Sequence, residues 1–140
     1  DIITTCNDIK DDIEKGYSYF FSEVKRIRSI AEKVRTGKRV IVIGDELFKG
    51  TNVQDAVDCT TAVLHGFLKH PRNFYFIATH FTSVAEEFQS EPPCFPVCFD
   101  GKVTGEEIAF DYRLKPGIST LRIGSLILKQ QQVTELLIPR

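Results

Sequence analysis

Val40-Ile41-Val42-Ile43 sets four β-branched residues in a row, and Gly44-Asp45-Glu46 follows at once. Such side chains favour a pleated backbone. A run without polar alternation predicts a strand buried on both faces, as in a parallel sheet. The same run fixes where two carboxylates stand, because the strand ends at them. In open α/β sheets, ligands bind outside the carboxyl ends of the strands. Asp45 there can hold Mg²⁺ directly or through water, and Glu46 can orient or activate a water for attack on a phosphate. The plain alternative is an acidic strand end.

The rest of the chain supplies the partners such a strand needs. Ile2 to Thr5 reads as a short strand and the polar stretch from Asn7 to Gly16 as a loop. Ser18 is a cap for a helix running to about Arg35, with Phe20, Val24, Ile27, Ala31 and Val34 spaced as one buried stripe. Gly37 is a plausible stop. After the central strand, Asn52 caps a second helix, with Asp55 three residues on as an imperfect capping box. Its inner face is predicted at Val53, Val57, Thr60, Leu64 and Phe67, and Pro71 ends it. Phe74 to Thr79 is a second buried strand, and a helix between two such strands is a βαβ unit with a right-handed crossover. A short helix from about Ser83 to Phe88 follows. The last third changes character. Cys94 to Phe99 and Glu107 to Leu114 are strand-like runs joined through Asp100-Gly101 and Gly105, with Ile108, Phe110, Tyr112 and Leu114 facing one way. Pro96 suggests an edge, Lys115-Pro116-Gly117 a turn, and two helical patches lie near Ile123 to Lys129 and Val133 to Ile138.

A chain of 140 residues is one domain or part of one. Its net charge of -1 gives no global basic field for nucleic acid, and no basic stripe with interleaved aromatics reads bases. No apolar run approaches the roughly 20 residues of a membrane span. The four cysteines, Cys6, Cys59, Cys94 and Cys98, form no C-x-x-C pair, and the histidines are not spaced around them as zinc ligands would be. Buried free thiols in a reducing, cytoplasmic compartment are the expectation.

Three further features gather around the acidic pair. Gly50-Thr51-Asn52 follows it directly, where a glycine before a helix cap is the unassuming reading. His80 ends the second buried strand as Asp45 ends the first. Neighbouring parallel strands would bring both to one rim, where a histidine can contact a phosphate oxygen. His65 and His70 read as helix-surface residues. Ser18-Tyr19-Phe20-Phe21-Ser22-Glu23 opens the first helix with a hydroxyl cap, and a helix N-terminus is a ready anion site. A plain capping serine is the alternative there.

Together these segments resemble the ATPase domain of the MutS family. Asp45-Glu46-Leu47-Phe48-Lys49-Gly50-Thr51-Asn52 is similar to its Walker B and D-loop segment, and Ala78-Thr79-His80 to the segment carrying its switch histidine. Ser18 to Glu23 is similar to its ABC-type signature S-T-F-x-x-E, and Tyr112-Arg113-Leu114 with Pro116-Gly117 to the strand and turn that follow. Tyr19 stands where the family has Thr and Phe48 where its best-known members have Gly, which points to a divergent branch. The resemblance covers nearly the whole chain. It implies an α/β, P-loop NTPase-like (ABC-type) three-layer fold, of which residues 1–140 would be the C-terminal part, with buried parallel strands and a β-hairpin near the C-terminus. It implies ATP and Mg²⁺ as cofactors and ATP hydrolysis coupled to DNA mismatch binding. Asp45 would hold the metal, Glu46 would activate or orient water and His80 would sense the γ-phosphate. Gly50, Thr51 and Asn52 would form the D-loop. Ser18 would complete the partner's site in a homodimer, and DNA would be bound by other parts of the protein.

No G-x-x-x-x-G-K-[ST] occurs, and the chain starts at Asp1 and contains no Met. The expectation is a piece of a larger domain that binds ATP poorly alone and self-associates through an uncovered edge or face. Two other classes stay open: a non-catalytic dimerisation or interaction module, and a metal-dependent hydrolase using Asp45, Glu46 and His80.

Overall fold

β1 (Ile2–Cys6), β2 (Val40–Asp45) and β3 (Phe74–Ala78) form a three-stranded sheet in the order β1-β2-β3, every pair parallel. This is a computed structural model describing residues 1–6, 18–105 and 107–138. The loop expected between Asn7 and Gly16 lies outside the described residues. Contacts divide the chain into two units, Asp1–Val84 and Ala85–Arg140.

In the first unit the strands are joined through α1 (Tyr19–Val34) and α2 (Val53–Leu68). Strand order equals chain order, so right-handed crossovers lay both helices on the same face of the sheet. The core shows this layering. Cys6, Val40 and Val42 from one face of the sheet cluster with Ile27, Ile30 and Val34 of α1 and with Ala56 and Phe67 of α2. Tyr75 and Ile77 pack against the cluster, and the Tyr75 ring stacks on Phe67 at 4.4 Å.

The opposite face is bare. Ile3, Ile43, Phe74 and Phe76 alternate with the buried residues along their strands, and Phe74 and Phe76 are 60% and 61% exposed. The strands are therefore buried on one face, not on two, because both crossover helices sit on the same side. Polar contacts tie the covered face together at its ends. Arg26 donates through Nε and Nη2 to the Thr5 carbonyl at 2.8 and 2.6 Å, and Asn73 Oδ1 accepts from the Val40 amide at 2.9 Å.

Both helix stripes are rotated from their expected positions. On α1 the buried residues are Glu23, Ile27, Ile30 and Val34, while Val24 and Ala31 are exposed. On α2 they are Ala56, Thr60 and Phe67, and Val53 lies out in solvent. Two neighbouring stripes share members at helical spacing, so hydrophobicity chose the outer one. Packing chose the one holding Ala56, small enough for close approach to the sheet, and the carboxylate of Glu23, whose hydrogen bonds lie inward. The caps fall where expected: Ser18 accepts from the Phe21 amide at 3.3 Å, and Asn52 from the Asp55 amide at 3.0 Å.

α3 (Thr82–Phe88) leads into the second unit, where β4 (Val97–Thr104) and β5 (Glu107–Pro116) pair antiparallel. Asp100-Gly101 lies inside β4 rather than in the connection; the turn has Gly105 at φ +64°. The pairing shifts between Phe99 and Gly101: Phe99 faces Leu114 and Gly101 faces Phe110. Tyr112, with φ +54°, absorbs the extra β5 residues and breaks the alternation expected for Ile108 to Leu114. α4 (Gly124–Gln130) and α5 (Val133–Leu136) close the chain. No helix among the described residues is long and apolar enough to cross a membrane.

Two outcomes are expected. Ile30, fully buried in α1, should lose about 2–5 kcal/mol of stability on Ile30→Ala, read by urea denaturation. The bare face should drive concentration-dependent association of this chain in sedimentation velocity. Phe74→Ser with Phe76→Ser should abolish that association at a stability loss well below that of Ile30→Ala.

Candidate functional site

The parallel register of β2 and β3 builds the rim. Asp45, the last residue of β2, pairs with Ala78, the last of β3. One residue further, the Glu46 amide donates to the Ala78 carbonyl at 3.0 Å. The chain then breaks away from the sheet, with Glu46 at φ +50° and Phe48 at φ +61°. His80 leaves β3 two residues after Ala78, and its Nδ1 lies 2.9 Å from Glu46 Oε1. Either the neutral Nδ1–H tautomer or the imidazolium can donate in this contact. The His80 ring also leans on Phe81, at 4.2 Å and 46°. The two side chains are 41% (Glu46) and 61% (His80) exposed. An ion pair that open adds at most about 1 kcal/mol to stability. Its effect is to aim the carboxylate and the imidazole at each other across the rim.

Asp45 is exposed at the strand end. Among the described residues no three of His, Cys, Asp and Glu come together as metal ligands would. The hydrolase reading, which needs Asp45, Glu46 and His80 as one ligand set, therefore has no geometry behind it. A single exposed carboxylate does fit Mg²⁺, which keeps several waters and binds through one or two carboxylates plus substrate phosphates.

The loop from Leu47 to Asn52 lies against the start of α1. Leu47 and Phe48 are buried in the core cluster, and the Phe48 ring meets Phe20 at 6.0 Å and 55°. A bulky residue in the left-handed region costs about 1–2 kcal/mol, so packing holds Phe48 in a conformation that glycine would adopt freely. This explains why the position it occupies suits Gly. Gly50 is needed for space: a Cβ there would stand 2.5 Å from Tyr19 Cδ1 and 2.8 Å from both Glu23 Oε2 and the Phe20 amide nitrogen. Thr51 donates to Asp55 Oδ2 at 3.4 Å and Asn52 caps α2.

Ser18 caps α1, so its hydroxyl oxygen accepts from its own helix, a hydroxyl being donor and acceptor at once. The fold thus makes two groupings from the sequence-expected residues: Glu46 with His80, and the helix opened by Ser18 with the loop of Gly50 and Thr51. Two residues inside the matched segments were given no role of their own. Glu23 is buried, and its carboxylate accepts the amides of Lys49 and Gly50 at 3.1 and 2.9 Å. Burial pushes its carboxyl up, and the hydrogen bonds from Gly50 and Lys49 pull it part of the way back. Its helical spacing to Ile27, Ile30 and Val34 is the signal that could have placed it inside. Phe48 is the other, legible only as a bulky residue in a loop.

The model of MutS domain V matches residues 1–139. The DNA mismatch repair protein MSH6 of Arabidopsis thaliana is 30% identical over 113 residues, covering 77% of this chain and 8% of the relative. MSH6 of Saccharomyces cerevisiae is 29% identical over 126 residues, covering 89% of this chain and 10% of the relative. The DNA mismatch repair protein MutS of Thermotoga maritima is 27% identical over 140 residues, covering 100% of this chain and 17% of the relative. The chain therefore spans less than a fifth of the length of these relatives. With the domain V model matching it almost end to end, the chain belongs to the MutS family.

Proposed function

We propose that this chain is the part of a MutS-type ATPase domain that carries signature, Walker B acid pair, D-loop and switch histidine, within a mismatch-repair protein that couples ATP hydrolysis to DNA binding. The observation that carries the reading is the 2.9 Å contact between Glu46 and His80 at the carboxyl rim of a parallel sheet. A carboxylate so held can orient a water, and an imidazole beside it can respond to a phosphate oxygen.

In this reading Asp45 would hold Mg²⁺, which when bound neutralises charge on the phosphate oxygens. Glu46 positions the attacking water and accepts its proton. His80 fixes the Glu46 carboxylate and contacts the γ-phosphate, sensing its presence. Gly50, Thr51 and Asn52 form the loop that faces a second subunit. Ser18, at the positive end of α1, supplies its hydroxyl to the γ-phosphate held by that subunit. The phosphate-cradling loop would come from another part of the protein, as would the DNA-binding surface, and a cytoplasmic homodimer is the expected assembly.

A second reading, a dimerisation module without turnover, draws support from Phe48. A bulky side chain packed at φ +61° stiffens the loop between the acid pair and Gly50.

The test uses the full-length protein. Wild type should turn over ATP. Glu46→Gln should keep ATP affinity within about threefold and lose roughly 10²–10⁴-fold in kcat, the usual contribution of a positioned acid or base. His80→Ala should lower kcat with a smaller loss, since Glu46 remains. Wild type without ATPase activity would sink the catalytic reading and leave the module. Full turnover in Glu46→Gln would remove Glu46 from the chemistry.

A further inference from the structure

Glu23 sits on the buried face of α1 at 4% exposure, yet it belongs to none of the groups assigned to the rim. A carboxylate taken out of water must be matched by donors. Here backbone amides supply them, Lys49 N–H on Oε1 at 3.1 Å and Gly50 N–H on Oε2 at 2.9 Å, with the Phe48 amide also lowering the carboxyl pKa. The dependence is mutual, since these amides sit in an irregular loop beyond the end of β2. The contact is close-packed as well. Gly50 leaves no room for a methyl between itself and the first turn of α1. Phe48 adds an apolar half to the joint, its ring buried against the core and facing Phe20.

We infer that Glu23, with Phe48 beside it, is a positioning residue that locks the first turn of α1, and so Ser18, to the loop that starts at Glu46. The inference rests on the reading of the rim proposed above and deepens it. Ser18 would serve the nucleotide of one subunit and Glu46 that of the other. A rigid joint between them makes the two sites move together. Charge-assisted hydrogen bonds in a buried setting are suited to this, being stronger than neutral ones and directional. A glutamine at position 23 keeps the shape but sets an N–H donor against one of the two amides.

The experiment compares wild type, Glu23→Gln, Ser18→Ala and the double variant in the full-length protein, with Glu46→Gln alongside. Two readouts are taken: amide exchange over residues 46–51, and ATP affinity with kcat. Glu23→Gln should speed exchange at Lys49 and Gly50 at least tenfold. It should leave ATP affinity within about twofold and lower kcat about tenfold, the scale of one such hydrogen bond. Ser18→Ala should cost much less in the Glu23→Gln background than alone, because Glu23 acts through Ser18. Unchanged exchange at Lys49 and Gly50 overturns the lock whatever the turnover. So does a Ser18→Ala effect of undiminished size in the double variant, the signature of a residue that only stabilises the fold. If Glu46→Gln stalls while Glu23→Gln behaves as wild type, the lock alone fails. If Glu46→Gln turns over normally, the rim reading fails and the exchange readout still decides the lock. Should Glu23→Gln not fold, Phe48→Leu removes the ring facing Phe20, and the same exchange and kcat criteria apply to it.

Discussion

The parallel pairing of β2 with β3 is the interaction on which the rest depends. Side chains of paired residues in a parallel sheet point the same way, and both strands end at the same rim. The register that sets Asp45 opposite Ala78 therefore decides which later residues meet. The ladder continues one step, through the Glu46 amide and the Ala78 carbonyl, and then both chains turn away. Glu46 and His80, 34 residues apart in sequence, meet at 2.9 Å because of that final step. A shift by one residue would turn Val42 and Gly44 outward and separate the acid from the histidine.

The in-order sheet has a second consequence. Helices stacked on one side give a two-layer unit with a covered face and a bare apolar one. The covered face does the folding. The bare face, bearing Ile3, Ile43, Phe74 and Phe76, is as apolar as a core and has the flat, alternating form that another layer would cover. Layering of this kind is why the four β-branched residues of β2 look buried on both sides in sequence while only alternate ones are buried here.

Beyond β2 the backbone is held by side chains rather than by a ladder. Glu46 and Phe48 both lie in the left-handed region, and conformations of that kind persist only where their surroundings over-determine them. Three contacts do so: Phe48 within the core, Gly50 against the first turn of α1, and Glu23 across the Lys49 and Gly50 amides. The loop after β2 is thereby tied to the first turn of α1, and the Thr60 hydroxyl of α2 donates to its Leu47 carbonyl at 3.4 Å. Phe48 keeps a left-handed conformation that glycine would adopt freely, because its ring is packed into the core.

By itself, the sequence determined the elements of the first unit, their caps and their order, because these rest on local chemistry: β-branched runs, Ser18 and Asn52 as helix starts, glycine and proline as stops. It also placed Asp45 and Glu46 at the end of one strand and His80 just past the end of the next, as the pairing of Asp45 with Ala78 has them, while the roles given to them are the proposal made above. Only the tertiary structure decided which stripe of each helix faces inward, because adjacent stripes share residues and differ by a small rotation. The same holds for the bare face, which follows from strand order, and for the shifted hairpin, where the pairing slips between Phe99 and Gly101 across from Tyr112. Glu23 is the sharpest case. A charged residue on a helix reads as solvated, and only the approach of the Lys49 and Gly50 amides makes its burial favourable.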